Sequence, residues 1–284
     1  MILYLARETK KLIQTQKKMM VLGSLWSREL DTIILQDRKA GLFSLIFQVL
    51  ATAMICERKK LNLVIDFVNS SYSQNAHQGN TNWWSCIFKS CEIINNPNRG
   101  EKRLLASNIQ QMHKLADIGG GLPRYFGWRT LRRFELQDHI SSFISTTVIK
   151  DFKGKNVLGV HYRGTDKVSG DYRETSRVPY ENMMNVIDKY IYGRDKLFIA
   201  TDEEGFLESA ISKYGDMVLF QEATRSKTNE SVHMSNMNDN GQKIAREAVI
   251  DSVLLSKTNM LLRTKSNLSI GSLYFNPYLK YMTI

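Results

Sequence analysis

The chain has 284 residues, 43% of them hydrophobic, which is enough apolar material for two domains of about 130 residues each. Its formal net charge of +11 indicates an anionic partner: nucleic acid, a membrane surface or a phosphorylated small molecule. The three cysteines, Cys56, Cys86 and Cys91, are odd in number and lack metal-site spacing, which argues against a disulfide framework and a zinc site and for a reducing, cytoplasmic location.

The first twenty residues have a basic amphipathic pattern, in which Arg7, Lys10 and Lys11 interrupt any apolar core that a signal peptide would need. We expect a helix there that is able to touch a membrane surface peripherally. The longest apolar run, residues 42–56, is shorter than the ~20 residues needed to cross a bilayer, and therefore predicts a buried helix.

The rest of the first half predicts a βαβ unit made of a strand at 32–35, the helix at 42–56 and a strand at 61–67. Residues 70–100 lack periodicity and predict an irregular insertion anchored by Trp83 and Trp84. After a glycine run comes the basic aromatic segment RYFGWRTLRRF, which suits either an interdomain seam or an acceptor surface, and then a helix at 135–149. We place the first domain at 1–150.

The second half alternates strands with helices more regularly. Strands are predicted at 157–161, 197–200, 217–220 and 260–262, and helices at 179–191, 203–213 and 241–256. Strands separated by helical spans indicate a parallel, doubly wound sheet. The predicted fold class is therefore α/β, with two Rossmann-like domains, 1–150 and 151–284, facing a cleft.

The stretch VLGVHYRGTDK places polar residues directly after a buried strand, where open α/β sheets bind ligands. Arg163 can grip two phosphate oxygens, and His161 lies on the same face of the extended chain. Gly164 allows a tight turn beside a ligand, and Asp166 or Lys167 can hold the loop through an ion pair. The alternative is an ordinary strand-to-loop junction with solvated charges.

Two further positions are candidates. Ser266 and Asn267 follow the last predicted strand and suit a phosphate at the start of a helix, or Ser266 is simply a helix N-cap. Asp251 interrupts an apolar helical stretch, where a carboxylate needs a partner, either a ligand donor or a buried arginine. The acidic run that contains Asp202 resembles a metal site but is more typical of a helix start.

Taken in order, the segments AGLFSLIFQVLATAMICERKKLNLVIDF, GNTNWWSCIF, GVHYRGTDK, LFIATDEEGFL, EAVIDSVLLS and KSNLS resemble the GDP-fucose-dependent fucosyltransferases, which include α-1,6-, nodulation-factor and protein O-fucosyltransferases. The His-x-Arg-x-Thr-Asp-Lys element is the most specific of them. The resemblance implies a two-domain GT-B fold, a nucleotide sugar held on the C-terminal domain, and inversion at the anomeric carbon without a metal or other cofactor.

Carried over by residue, the resemblance makes Arg163 the diphosphate clamp and places His161 and Asp251 beside the guanosine. Ser266 and Asn267 match a Ser-Ser pair that contacts the donor, so Asn267 is a departure from the family pattern. Gly164 and Asp202 complete the expected donor site.

The acidic catalytic residue matches Asp171 when counted from Lys167, and Glu174 when counted back from Pro179, because this loop is about three residues longer than in the family. Either carboxylate can act as general base. Arg163 and Lys167 supply positive charge to the leaving GDP.

The expected function is fucose transfer from GDP-fucose to a glycan or glycoconjugate acceptor. No Asp-x-Asp pair occurs in the chain, which disfavours a metal-dependent mechanism. Two alternatives remain: a basic nucleic-acid-binding protein, although no recognised nucleic-acid motif is present, and a GDP-sugar binder that has lost turnover.

Overall fold

The computed structural model describes residues 31–74, 81–95, 103–106, 121–164, 178–226 and 241–284. Contacts divide the chain into two units, Met1–Leu136 and Gln137–Ile284. The sequence-based boundary at 150/151 lies later because helix Asp138–Thr147 was expected to close the first domain. That helix instead packs against helix Gly241–Ser256 of the second unit.

The first unit contains a four-stranded sheet. Its strands are β1 (Thr32–Gln36), β2 (Asn62–Asp66), β3 (Glu92–Ile93) and β4 (Arg103–Ala106), in the order β3-β2-β1-β4. Strand β1 pairs in parallel with β2 and β4, whereas β3 is an antiparallel edge. Helix α1 (Leu42–Lys59) connects β1 to β2, which confirms the predicted βαβ unit.

Helix α1 is buried along most of its length because the apolar run extends around its circumference. It ends at Lys60, whose left-handed φ of 56° terminates the helical path. The first eight residues of the basic aromatic segment belong to helix α2 (Gly121–Leu131), which contacts α1 within this unit, and the last three follow the helix as a turn.

The predicted aromatic anchor in the insertion is confirmed, since Trp83 and Trp84 are fully buried. Trp84 stacks on Phe88 with ring centroids 4.3 Å apart. The Trp83 indole N–H donates to Asp37 Oδ2 at 3.0 Å, directly after β1. A buried carboxylate thereby fixes the insertion against the sheet.

The second unit contains a five-stranded sheet in which every pairing is parallel. Its strands are β5 (Val157–Tyr162), β6 (Lys196–Thr201), β7 (Val218–Leu219), β8 (Met260–Arg263) and β9 (Lys280–Thr283), in the order β7-β6-β5-β8-β9. The chain winds outward from β5 to β7 and then returns to the other side of β5. The strand order therefore reverses between β5 and β8.

The helices of this unit are α3 (Asp138–Thr147), α4 (Tyr180–Tyr190), α5 (Glu204–Tyr214), α6 (Gly241–Ser256) and α7 (Asn267–Phe275). A π-helical turn, Val148–Phe152, follows α3. Apolar residues of α4 and α5, among them Met183 and Phe206, pack on the face of the sheet that carries Val160 and Tyr162.

His161 points to the opposite face, because successive residues of a strand alternate between the faces of the sheet. Helices α6 and α7 pack together, and α6 contacts β5 and β6. Helices thus cover both faces, as expected for a doubly wound sheet.

Candidate active site

The carboxyl ends of β5, β6 and β8 form the candidate site. In an open α/β sheet, ligands bind outside the carboxyl ends of the strands at the point where the strand order reverses. Here that point lies between β5 and β8. Of the predicted residues, His161 lies near the end of β5 and Arg163 directly follows that strand, Asp202 follows β6, and Ser266 lies after β8. The topology thus brings these four to one edge of the sheet.

His161 is buried, with 3% of its surface exposed. Burial, followed by the positive charges of Arg163 and Arg263, lowers the pKa of its imidazole to about 3. The side chain is therefore neutral near pH 7. Its Nδ1 atom is buried and has no hydrogen-bond partner among the residues described here. A buried imidazole nitrogen in this state is available to a ligand.

The backbone of Arg163 is fixed to the neighbouring strand end. Its N–H donates to Thr264 Oγ1 at 3.0 Å, and the Thr264 N–H donates to the His161 carbonyl at 3.0 Å. Arg163 Nε lies 3.9 Å from Asp202 Oδ2. The sequence suggested Asp166 as an ion-pair partner, and this residue lies outside the described ranges. Asp202, predicted to bind the donor, lies within ion-pair distance of Arg163.

Gly164 is needed because of a buried carboxylate that the sequence analysis did not identify. A Cβ at this position would lie 2.3 Å from Oε1 of Glu203. Glu203 is 1% exposed and accepts a hydrogen bond from the Tyr180 hydroxyl at 2.6 Å. The predicted helix start is present, because Glu203 occupies the N-cap position of α5. Its side chain does not cap the helix and binds the Tyr180 hydroxyl instead.

Ser266 is the N-cap of α7. Its Oγ accepts a hydrogen bond from the Leu268 N–H at 3.3 Å, as the sequence predicted for a capping serine. Ser269 Oγ donates to the Ser266 carbonyl at 2.9 Å and so supports the turn. Asn267 begins the helix. The start of α7 adds positive potential to the edge of the sheet at which Arg163 lies.

Asp251 lies within α6 and is 7% exposed. Burial raises the pKa of its carboxyl to about 7, an effect that the charge of Arg225 and a hydrogen bond with Gln221 oppose. Its Oδ1 atom has no hydrogen-bond partner in the described part of the chain. Both expectations for Asp251 therefore have support: an arginine lies nearby, and one carboxylate oxygen is available to a ligand.

The segment that follows β7 is held against α6. Gln221 Nε2 donates to the Glu247 carbonyl at 2.7 Å, and the Thr224 N–H donates to Glu247 Oε2 at 2.9 Å. Arg225 Nη2 in turn donates to the Gln221 carbonyl at 2.6 Å. The sequence analysis missed Gln221 and Arg225, since no local pattern links them to Asp251.

Arg263 is a second residue that the sequence analysis missed. It ends β8 and pairs in register with His161. Only 6% of its surface is exposed. Ser266 and Asn267, which follow it, are the more evident ligand candidates in the sequence, and a cation at a strand end is usually solvated. A cue was available, because Arg263 directly follows the apolar residues Leu261 and Leu262.

Three of the predicted catalytic residues, Lys167, Asp171 and Glu174, lie outside the described residues, as does the basic N-terminal segment. Among the described residues no group of three or more His, Cys, Asp or Glu side chains is placed to hold a metal ion. No helix in the described ranges is long and apolar enough to span a membrane. All three cysteines are described, and none forms a disulfide.

No family model and no curated protein matches this chain. Solved structures do match it in fold. NodZ alpha-1,6-fucosyltransferase soaked with GDP-fucose matches with a TM-score of 0.59 and 16% identity, over 87% of this chain and 93% of the other. Fucosyltransferase NodZ from Bradyrhizobium matches with a TM-score of 0.56 and 16% identity, over 88% and 94%. An Arabidopsis thaliana FUT1 mutant in complex with GDP matches with a TM-score of 0.54 and 8% identity, over 96% and 74%.

This likeness extends over most of each chain and therefore includes both units. It confirms the predicted fold class, an α/β protein of the GT-B type built from two Rossmann-like units.

Proposed function

We propose that this protein transfers fucose from GDP-fucose to a glycan or glycoconjugate acceptor. The observation that carries the proposal is the position of His161 and Arg163 at the reversal point of a parallel sheet. The fold supports it, because the chain shares that fold with a NodZ alpha-1,6-fucosyltransferase that was soaked with GDP-fucose.

In this proposal the second unit binds the donor. One group of its residues binds the guanosine and another binds the diphosphate. Asp251, once ionised, accepts hydrogen bonds from the guanine N1–H and amino group, and His161 lies beside the guanosine. Two described features support the assignment: the buried Oδ1 of Asp251 and the buried Nδ1 of His161 both lack protein partners among the described residues.

The diphosphate is assigned to Arg163 and to the start of α7 at Ser266 and Asn267, and Gly164 adds no side chain beside this site. The carboxylate of Asp202 lies 3.9 Å from Arg163 Nε and balances part of the charge of the guanidinium. Arginine suits this task because its planar fork matches two phosphate oxygens at once.

The proposed reaction is a single inverting displacement. The acceptor hydroxyl oxygen attacks the anomeric carbon, the bond from that carbon to the β-phosphate oxygen breaks, and the hydroxyl proton passes to a carboxylate, Asp171 or Glu174. Arg163 and Lys167 stabilise the negative charge that grows on the departing GDP. We propose that no metal takes part, since fixed cations can perform this task.

The first unit is assigned to the acceptor. We also propose a cytoplasmic location, peripheral membrane contact through the basic N-terminal segment, and no nucleic-acid partner. The three cysteines without a disulfide are compatible with a reducing compartment.

The test is incubation with a panel of GDP- and UDP-sugars, followed by chromatography of the released nucleotide. We expect GDP release from GDP-fucose above all other donors, through slow hydrolysis when no acceptor is present. Binding of GDP without any release, with glycan acceptors added, would indicate a GDP-sugar binder that has lost turnover. DNA or RNA binding at moderate salt, together with no thermal shift by GDP, would indicate the nucleic-acid alternative.

A further inference from the structure

Arg263 is a buried cation for which the described protein provides no counter-ion. It is 6% exposed, and its Nε atom is buried without a hydrogen-bond partner. Its guanidinium carbon lies 5.8 Å from the centroid of the Tyr281 ring. No ion pair joins it to a carboxylate in the described part of the chain.

Such an arrangement is unfavourable in the empty protein. Taking a charge out of water costs several kcal/mol unless a partner compensates for it. A cation–π contact returns only about 1 to 2 kcal/mol of this. Consistent with that burial, the pKa of Arg263 lies below its usual value. The described residues therefore leave the charge of Arg263 uncompensated, and a bound anion would compensate it.

The position of Arg263 indicates what that partner is. Arg263 pairs with His161 on the adjacent strand, and neighbouring strands are about 4.8 Å apart. The next residue, Thr264, binds the backbone of Arg163, and Ser266 then caps α7. Arg263 thus belongs to the same strand ends as the candidate diphosphate site, and its charge acts on His161 together with that of Arg163.

We propose that Arg263 is a second anion-binding residue of this site and holds one phosphate of a nucleoside diphosphate while Arg163 holds the other. For GDP as the ligand, this assignment rests on the proposed function. The two arginines come from the strand ends on either side of the reversal point, and the proposed diphosphate would bridge these two ends. The cost of burying Arg263 is then offset only when the ligand is bound.

The test compares wild type, Arg263→Met and Arg263→Lys, with Arg194→Met as the charge-matched control. Arg194 is a partly buried arginine at the opposite end of the sheet, where it contacts Asn156 and Met260. Dissociation constants for GDP, guanosine and inorganic pyrophosphate are measured by calorimetry, and melting temperatures are recorded without ligand.

We expect Arg263→Met to weaken GDP and pyrophosphate binding by about 10-fold or more, since a hydrogen bond to a charged group is worth roughly 1.5–3 kcal/mol. Guanosine binding should stay as in wild type. The ligand-free melting temperature should be unchanged or higher, because a buried charge has been replaced by an apolar chain. Arg263→Lys should retain part of the pyrophosphate affinity, and Arg194→Met all of it.

Unchanged GDP affinity in Arg263→Met would overturn this inference and leave the proposed function standing. A lower ligand-free melting temperature with normal pyrophosphate binding would assign Arg263 a structural role instead. If the wild-type protein binds pyrophosphate through Arg263 but binds GDP no more tightly than pyrophosphate, the anion site stands and the proposed donor is wrong. Failure of wild type to bind either anion would overturn both.

Discussion

Gly164 and Glu203 lie so close together that a side chain at residue 164 would have to displace the Glu203 carboxylate. A Cβ at this position would lie 2.3 Å from Oε1 of Glu203, which is itself buried and bonded to the Tyr180 hydroxyl. The contact joins the residue after Arg163 to the start of α5 and to the start of α4. It therefore ties the end of the described β5 segment to both helices.

Gly164→Ala should consequently destabilise the protein by about 1–3 kcal/mol, the usual range for overpacking a rigid site. Thermal unfolding measures the effect. Gly205→Ala is the matched control, since its Cβ would lie 3.4 Å from the Tyr180 hydroxyl in ordinary contact. The double variant Gly164→Ala/Glu203→Ala should lose less stability than the sum of the losses in the two single variants. Strict additivity would argue against the clash.

Arg163→Ala should lower kcat about 100-fold or more, the scale seen when one preorganised electrostatic donor is removed. The reason is that only binding which strengthens as the bond breaks accelerates the chemistry. Arg163→Lys should restore little, because lysine lacks the bidentate fork. Steady-state kinetics with GDP-fucose give the answer. A lysine variant near wild type would indicate simple charge attraction, and a stable, fully active alanine variant would remove Arg163 from the mechanism.

Asp251 should make donor binding depend on pH. Its carboxyl has a pKa of about 7 in the free protein and must ionise to accept two hydrogen bonds from guanine. Below pH 7, each unit should weaken binding by up to about tenfold. Calorimetry with GDP-fucose tests this well, because neither of its phosphates, both esterified, titrates near pH 6. Affinity that is flat from pH 5.5 to 8 would exclude Asp251 from guanine binding.

The same pKa shift predicts the stability of Asp251→Asn. The folded-state pKa is raised above the unfolded value, so the stability that the group contributes is present below about pH 4 and is lost as pH rises through 7. The variant should therefore melt above wild type at pH 8, and the difference should shrink toward pH 5. A larger advantage at pH 5 than at pH 8 would contradict the direction of the shift.

Ser266→Ala should remove the cap of α7 and cost about 1 kcal/mol, within the usual range for an N-cap. In a unit of this size, that amounts to a fall of roughly 2–8 °C in melting temperature. Ser266→Thr keeps the hydroxyl acceptor and serves as control. If GDP also contacts this turn, its affinity should fall in the alanine variant and recover in the threonine one. Equal melting of all three proteins would mean that the cap contributes nothing.

Turnover should survive EDTA, because the charge that grows on GDP is assigned to arginines and to Lys167. The measurement is initial velocity before and after chelation, with manganese or magnesium added back. Activity that is lost with EDTA and restored by either ion would direct attention to the acidic run Asp202, Glu203 and Glu204.

The local sequence largely determined the elements of the second sheet. A strand that is buried on both faces must be apolar along its length, so Val157–Tyr162 and Lys196–Thr201 could be recognised without their neighbours. The edge strands Glu92–Ile93 and Lys280–Thr283 were missed, since they are short or partly exposed and become strands only by pairing. Helix Asp138–Thr147 was predicted, but only its packing on α6 assigned it to the second unit.

The candidate site likewise combines residues that the local sequence identifies with residues that only the tertiary structure brings to it. Arg163, Ser266 and Asp251 stand out locally, as a cation after a strand, a capping serine and an acid in an apolar helix. Asp202 and Thr264, the partners of Arg163, are distant in sequence and become its neighbours because parallel strands end at one edge. Arg225 comes near Asp251 because the segment after β7 packs against α6. Burial is likewise a tertiary property: Glu203 and Arg263 look like solvated charges in the sequence. Glu203 is removed from water only by the packing of Gly164 and Tyr180 around it. Arg263 is removed from water only by the packing of the sheet and Tyr281 around it.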